Sequence, residues 1–121
     1  MSTVLIVDND NSFRKALRKL LEQDGFDACI EARSAAEAIE RSKHVLPNLV
    51  ITDYSLPGRN GLQLAQELKA IMPRLPIFML TADRNLNVER EALSCGINTV
   101  FSKFEDLQSL LANAHAVTRN R

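Results

Sequence analysis

Leu49-Val50-Ile51-Thr52-Asp53-Tyr54-Ser55-Leu56-Pro57-Gly58-Arg59-Asn60-Gly61 is the stretch on which the reading of this chain turns. Its apolar start has the composition of a strand covered on both faces. Asp53 closes that run, and a turn-rich segment with Pro57, Gly58 and Gly61 follows. A carboxylate there stands at the carboxyl edge of a sheet, where open α/β folds keep their ligands. Three other apparent strand ends carry chemistry of the same kind. Asp8 follows Thr3–Val7, Thr81 follows Ile77–Leu80, and Lys103 follows Thr99–Ser102. Two acids, a hydroxyl and an amine on one rim suit a metal ion and a phosphoryl group.

Outward from that stretch, strand and helix periods alternate along the whole chain. After Thr3–Val7, the residues Phe13, Ala16, Leu17, Leu20 and Leu21 recur with the spacing of one helix face. Ser12 has the chemistry of its N-cap, and Gly25 stops it. Phe26–Ile30 is a weaker strand candidate, and Ser34-x-x-Glu37 reads as a capping box opening a short helix through Ile39. Asn48–Thr52 is a central strand and Gly61–Met72 a helix ended by Pro73. Pro76 sits at the first residue of a strand continuing through Ile77–Leu80. A helix of ragged amphipathicity spans 85–95, with Gly96 at its end. Asn98–Ser102 is the last strand. The final helix has Leu107, Leu110, Leu111, Ala114 and Val117 on its apolar face, with Glu105 and Asp106 near its positive end. Five βα units in series call for an α/β fold with a five-stranded parallel, doubly wound sheet and right-handed crossovers.

The 121 residues are one domain's worth, with 45% hydrophobic and 25% charged content. Fifteen basic and fifteen acidic residues cancel, so no global field draws the chain to nucleic acid or to an anionic membrane. Two separated cysteines, Cys29 and Cys95, indicate no disulfide framework and suit a reducing cytoplasm. No signal peptide or membrane-length apolar segment is evident. The expected organisation is a single domain over residues 1–118, with 119–121 a tail or the stub of a linker.

From Val4 to Val117 the chain resembles a response-regulator receiver domain. The matching pieces are the acidic turn Asp8-Asn9-Asp10, the stretch from Asp53 through Leu56 and Pro57 to Gly61, the pair Thr81-Ala82, and Lys103. The resemblance implies strand order 2-1-3-4-5, the flavodoxin-like or CheY-like arrangement. It makes Asp53 the phosphoacceptor, taking a phosphoryl group from a histidine kinase or phosphotransfer protein. It assigns Mg²⁺ (or Mn²⁺) to Asp8, Asn9, Asp53 and the backbone carbonyl of Ser55. Lys103 then pairs with the phosphoryl oxygens and Thr81 donates its hydroxyl to one of them, repacking the surface of the fourth helix and fifth strand. Such a domain is a phosphorelay switch rather than an enzyme beyond its own phosphotransfer and dephosphorylation. Ser55 and Asp83 occupy the positions that tune phosphoryl lifetime. An attached or separate output domain is implied, and so is a homodimer on activation.

Three departures from the family pattern stand out. Asn9 replaces the second of two tandem acids, which predicts a weaker Mg²⁺ site unless Asp10 compensates. Phe104 replaces the proline after the lysine. Val100 replaces the switch aromatic, while Phe101 points to the opposite face. Arg14, Lys15, Arg18 and Lys19 lie on the outer side of the first helix, as a solvated face or a kinase-docking surface. Two rival readings use the same residues. Val4–Ser12 also fits the nucleophile motif of haloacid-dehalogenase-like phosphatases, with Asp8 as nucleophile and Asp10 as acid/base. A pseudo-receiver keeps the fold and works as a binding module without phosphorylation.

Overall fold

The computed structural model describes residues 2–119. Their elements run β1 (Thr3–Val7), α1 (Asn11–Gln23), β2 (Ala28–Ala32), α2 (Ala35–His44), β3 (Leu49–Asp53), α3 (Gly61–Ile71), β4 (Ile77–Thr81), α4 (Leu86–Ser94), β5 (Thr99–Ser102) and α5 (Leu107–Thr118). The strands form one parallel sheet in the order β2-β1-β3-β4-β5, as the resemblance implied. Alternate strand residues serve opposite faces. Val4, Ile6, Leu49, Ile51, Phe78, Leu80 and Phe101 pack under α1 and α5 with Leu17, Leu21, Leu110 and Ala114. Leu5, Val7, Val50, Ile77, Met79 and Val100 pack under the other three helices with Ala38, Leu64, Leu68 and Ala92. Helices on both faces explain why the central strands carry continuous apolar runs, Val4–Val7, Leu49–Ile51 and Ile77–Leu80. Val100 and Phe101 fall on opposite faces, as the period of a strand requires.

Register sets the rim. Val7 lies opposite Thr52, so Asp8 emerges beside Asp53. Thr81 lies opposite Ser102, which brings Lys103 next in line, and the Lys103 N–H donates to the Thr81 carbonyl at 2.9 Å.

Several boundaries differ from the sequence expectations. The N-cap of α1 is Asp10, whose side chain accepts from the Phe13 N–H, and Ser12 lies inside the helix. Strand β2 begins two residues later than expected, after a turn in which Gly25 takes φ +100. Helix α2 continues past Ile39 to His44, because Ser42 is buried and returns its hydroxyl to the Ile39 carbonyl at 2.8 Å. Arg41, Lys43 and His44 then sit at its negative end. Ser34 caps the Glu37 N–H as expected, but the Glu37 carboxylate accepts from Arg33 rather than closing the box on Ser34. A complete capping box occurs instead at Asn60 and Gln63. Asn48 and Asn98 precede β3 and β5 and accept strand N–H groups through their side chains, from Thr3 at 2.7 Å and Ile77 at 2.9 Å. Arg119 is the C-cap of α5, and residues 120–121 of the expected tail lie outside the described residues.

Candidate functional site

Gly61 is what seats the Asp53 turn. A Cβ there would stand 2.5 Å from the Asp53 carbonyl oxygen, and the Gly61 N–H donates to the Tyr54 carbonyl at 2.7 Å. The start of α3 therefore lies flush against the end of β3, a contact that no larger residue permits. Gly58 serves the same turn differently, at φ +77 with open space around its Cα.

Asp8, Asp53, Thr81 and Lys103 converge at the carboxyl edge of β1, β3, β4 and β5. The Lys103 ammonium lies 2.9 Å from Asp8 Oδ2 and 3.3 Å from Asp53 Oδ2. The side chain of Asp8 is 2% exposed, that of Lys103 10% and that of Asp53 13%. Asp53 and Lys103 share with Tyr54, Ser55, Thr81 and Asp83 the lining of a cleft of about 320 Å³. Burial pushes the Asp53 carboxyl above its ordinary pKa and the charge of Asp8 adds to the rise, against the pull of Lys103. Burial works to lower the Lys103 ammonium, but Asp8 and Asp53 outweigh it and the net direction is upward. The two acids and the amine thus form a charged cluster with one negative charge in excess.

Beside the Lys103 ammonium, the rim carries the carboxylate oxygens of Asp8 and Asp53, the donor type of a hard divalent cation. Asp8 Oδ2 is buried and receives no well-directed hydrogen bond; its contact with Lys103 is Coulombic. A buried carboxylate oxygen without a hydrogen-bond donor fits a cation. No group of three or more His, Cys, Asp or Glu side chains suited to a metal occurs among the described residues. The carboxylates Asp8 and Asp53 would therefore need the neutral oxygens of Asn9 and Ser55, and both of those residues are exposed beside the rim. Asp10 Oδ1 accepts from the Phe13 N–H as the cap of α1.

Thr81 is buried at the end of β4. Its hydroxyl donates to the Asp83 carbonyl at 3.3 Å and accepts from the Asp83 N–H at 3.2 Å. The β5–α5 loop lacks proline, and Asp106 braces it by accepting from the Ser102 N–H at 2.8 Å and from Arg84 at 2.9 Å.

Two residues at the rim escape a reading by hydrophobic pattern. Arg14, expected on the outer side of α1, is buried. It donates to Glu31 at 2.7 Å, to the Asp8 carbonyl at 2.8 Å, and to Asn11. Arg18 and Lys15 also reach Glu31, so the basic face of α1 is partly neutralised. The second residue is Phe13, whose ring centroid lies 4.5 Å from the Lys103 ammonium.

Comparison with known proteins agrees with this geometry. The family model described as the response regulator receiver domain matches residues 4–115. The chain is 32% identical over 119 residues to the phosphate regulon transcriptional regulatory protein PhoB of Pseudomonas aeruginosa, covering 97% of this chain and 52% of that protein. A second Pseudomonas aeruginosa protein, provisionally described as a transcriptional regulator, is 36% identical over 117 residues, covering 97% of this chain and 56% of the relative. The chain thus spans about half the length of these curated relatives. A receiver-domain structure from Clostridium thermocellum superposes with a TM-score of 0.91 at 23% identity, covering 99% of this chain and 96% of the other, a likeness of fold. No helix among the described residues is long and apolar enough to cross a membrane. The phosphatase reading of Asp8 gives way to the match with the receiver-domain family over residues 4–115. The chain belongs to the response regulator receiver domains, the phosphorylation-dependent switches of two-component systems.

Proposed function

We propose that Asp53 is the phosphoacceptor of this receiver domain, supplied by the phosphohistidine of a kinase or phosphotransfer protein. A carboxylate oxygen of Asp53 bonds to phosphorus while the P–N bond breaks. The electron pair returns to the imidazole nitrogen, and the product is an acyl phosphate. The observation that carries this reading is the difference in access between the two acids. Asp53 lines the open cleft beside Lys103, whereas Asp8 is buried behind the same ammonium.

Lys103 neutralises charge that builds on the phosphoryl oxygens. Bound Mg²⁺ or Mn²⁺ would supply a second counter-charge, held by Asp8, Asp53, Asn9 and the Ser55 carbonyl. With one carboxylate fewer than two tandem acids provide, this site binds the cation more weakly.

Thr81 is the signalling element. Its hydroxyl exchanges the Asp83 carbonyl for a phosphoryl oxygen, which strains the Arg84–Asp106 link between the β4–α4 and β5–α5 loops. Leu86, Leu93 and Phe104 stand exposed on α4 and the β5–α5 loop, where that movement is felt by an output partner or a second copy. With Val100 in place of an aromatic, the change travels through backbone and helix shifts.

Incubation with acetyl phosphate and Mg²⁺ tests the reading. Wild type gains the mass of one phosphoryl group and Asp53→Asn gains none. Equal labelling of the two proteins, or no labelling of wild type, rejects it.

A further inference from the structure

Phe104 follows Lys103 where a proline would stiffen the turn, yet the Lys103 ammonium is closely held. We propose that Phe13 is a positioning residue for Lys103, its ring closing the side of the ammonium that the two carboxylates leave open. This rests on the proposed role of Asp53 as phosphoacceptor.

The centroid-to-nitrogen distance of 4.5 Å lies within the range of a cation–π contact. Such contacts strengthen when the cation is withdrawn from water, and Lys103 is buried. The backbone that carries the ring is held. The Phe13 N–H is held by the Asp10 carboxylate at 3.1 Å, and the Asp10 N–H by Asp8 Oδ1 at 2.8 Å. One turn therefore presents both the carboxylate and the ring that confine the ammonium. Below them, Phe13 packs on the apolar layer between the sheet and the pair α1 and α5.

Backbone contacts do not do this work. Asp106 and the Thr81 carbonyl pin the main chain at Ser102 and Lys103. Four rotatable bonds separate that main chain from the ammonium, and the shorter contact runs to Asp8 rather than to Asp53. In reaction with acetyl phosphate, an Asp53 oxygen bonds to phosphorus, the P–O bond to the acetyl group breaks, and acetate leaves with the electron pair. Lys103 must meet the phosphoryl oxygens as this happens. The ring blocks water and alternative rotamers from the remaining side, so the ammonium is in place before the donor arrives.

The test compares phosphorylation rates of wild type, Phe13→Leu and Phe13→Tyr with acetyl phosphate at saturating Mg²⁺. Phe13→Leu keeps an apolar side chain and loses the π face. It is expected to slow phosphorylation on the order of tenfold, and Phe13→Tyr to restore the rate to near that of wild type. A second readout is the ring-current displacement of the Lys103 Hε protons in NMR spectra, present in wild type and Phe13→Tyr and absent in Phe13→Leu. A purely structural role for Phe13 would not give that pattern. Wild-type rates in Phe13→Leu, an equally slow Phe13→Tyr, or undisplaced Hε protons in wild type overturn the inference while leaving Asp53 as phosphoacceptor. Failure of wild type itself to take up phosphoryl overturns that role, and this inference with it.

Discussion

The Lys103 ammonium stands nearer to Asp8 Oδ2, at 2.9 Å, than to Asp53 Oδ2, at 3.3 Å. A single cation is thus divided between two poorly solvated carboxylates, and Asp53 has the weaker share. Burial is the first cause of its raised pKa, and repulsion from Asp8 adds to it against the pull of Lys103. Because the folded carboxyl titrates above its unfolded value, ionised Asp53 opposes folding. The penalty is absent below the unfolded pKa and complete above the folded one.

Asp53→Asn is therefore expected to stabilise the metal-free protein near neutral pH, by on the order of 1 kcal/mol. The gain over wild type shrinks as pH falls toward the carboxylate range. Urea denaturation of both proteins at two pH values, in the presence of a chelator, measures it. A less stable Asp53→Asn at neutral pH would show that Lys103 more than compensates both acids.

Gly61 and Gly58 make a matched pair of tests. Gly61→Ala drives a methyl against the Asp53 carbonyl, where backbone and not a flexible side chain must move, so a loss of about 1–3 kcal/mol is expected. The same substitution should slow phosphorylation, since the displaced atoms belong to the proposed nucleophile. Gly58→Ala meets no neighbour and carries only the strain of positive φ, at roughly 1 kcal/mol, with little effect on the rate. Denaturant unfolding and phosphorylation kinetics on the two variants separate these effects.

Glu31 ties β2 to the rim through Arg14. Burial alone would raise its pKa, but hydrogen bonds from Arg14 and Arg18 and the charge of Lys15 hold the carboxyl below the usual range. A depressed carboxylate contributes stability that is present above the unfolded pKa, about 4.3, and lost as pH falls through the lower folded value. Glu31→Gln should cost roughly 2 kcal/mol at neutral pH and progressively less in that acid window. Chemical denaturation across pH reads both limbs.

Asn9→Asp restores a negative charge next to Asp8 and should tighten Mg²⁺ binding about tenfold, as expected when a carboxylate joins an oxygen-ligand site. Calorimetric titration of Mg²⁺ into the two proteins checks this. Unchanged affinity would remove Asn9 from the ligand set.

The rim was legible because each of its four groups follows an apolar run, and strand-end chemistry survives errors of a residue or two in where a strand begins. The five βα units were legible for the same reason. Arg14 was hidden, since its burial depends on Glu31, a partner 17 residues away on another element. Hydrophobic pattern alone assigns any arginine to the solvent side. Helix α2 looked short because Ser42, buried in its last turn, carries no apolar mark. At the start of α1 both Asp10 and Ser12 have capping chemistry, and a local turn in which the Asp10 N–H donates to Asp8 Oδ1 accompanies the choice of Asp10. Phe13 reads as an ordinary core position until the fold brings Lys103 over its ring.

Chemical mapping of the phosphorylated residue decides whether Asp53 is the phosphoacceptor. Borohydride reduction of protein treated with acetyl phosphate and Mg²⁺ converts an aspartyl phosphate to homoserine, which peptide mass spectrometry then locates. Homoserine is expected at position 53, with Asp8 intact. Homoserine at position 8, or none in a protein that has gained a phosphoryl group, would contradict it.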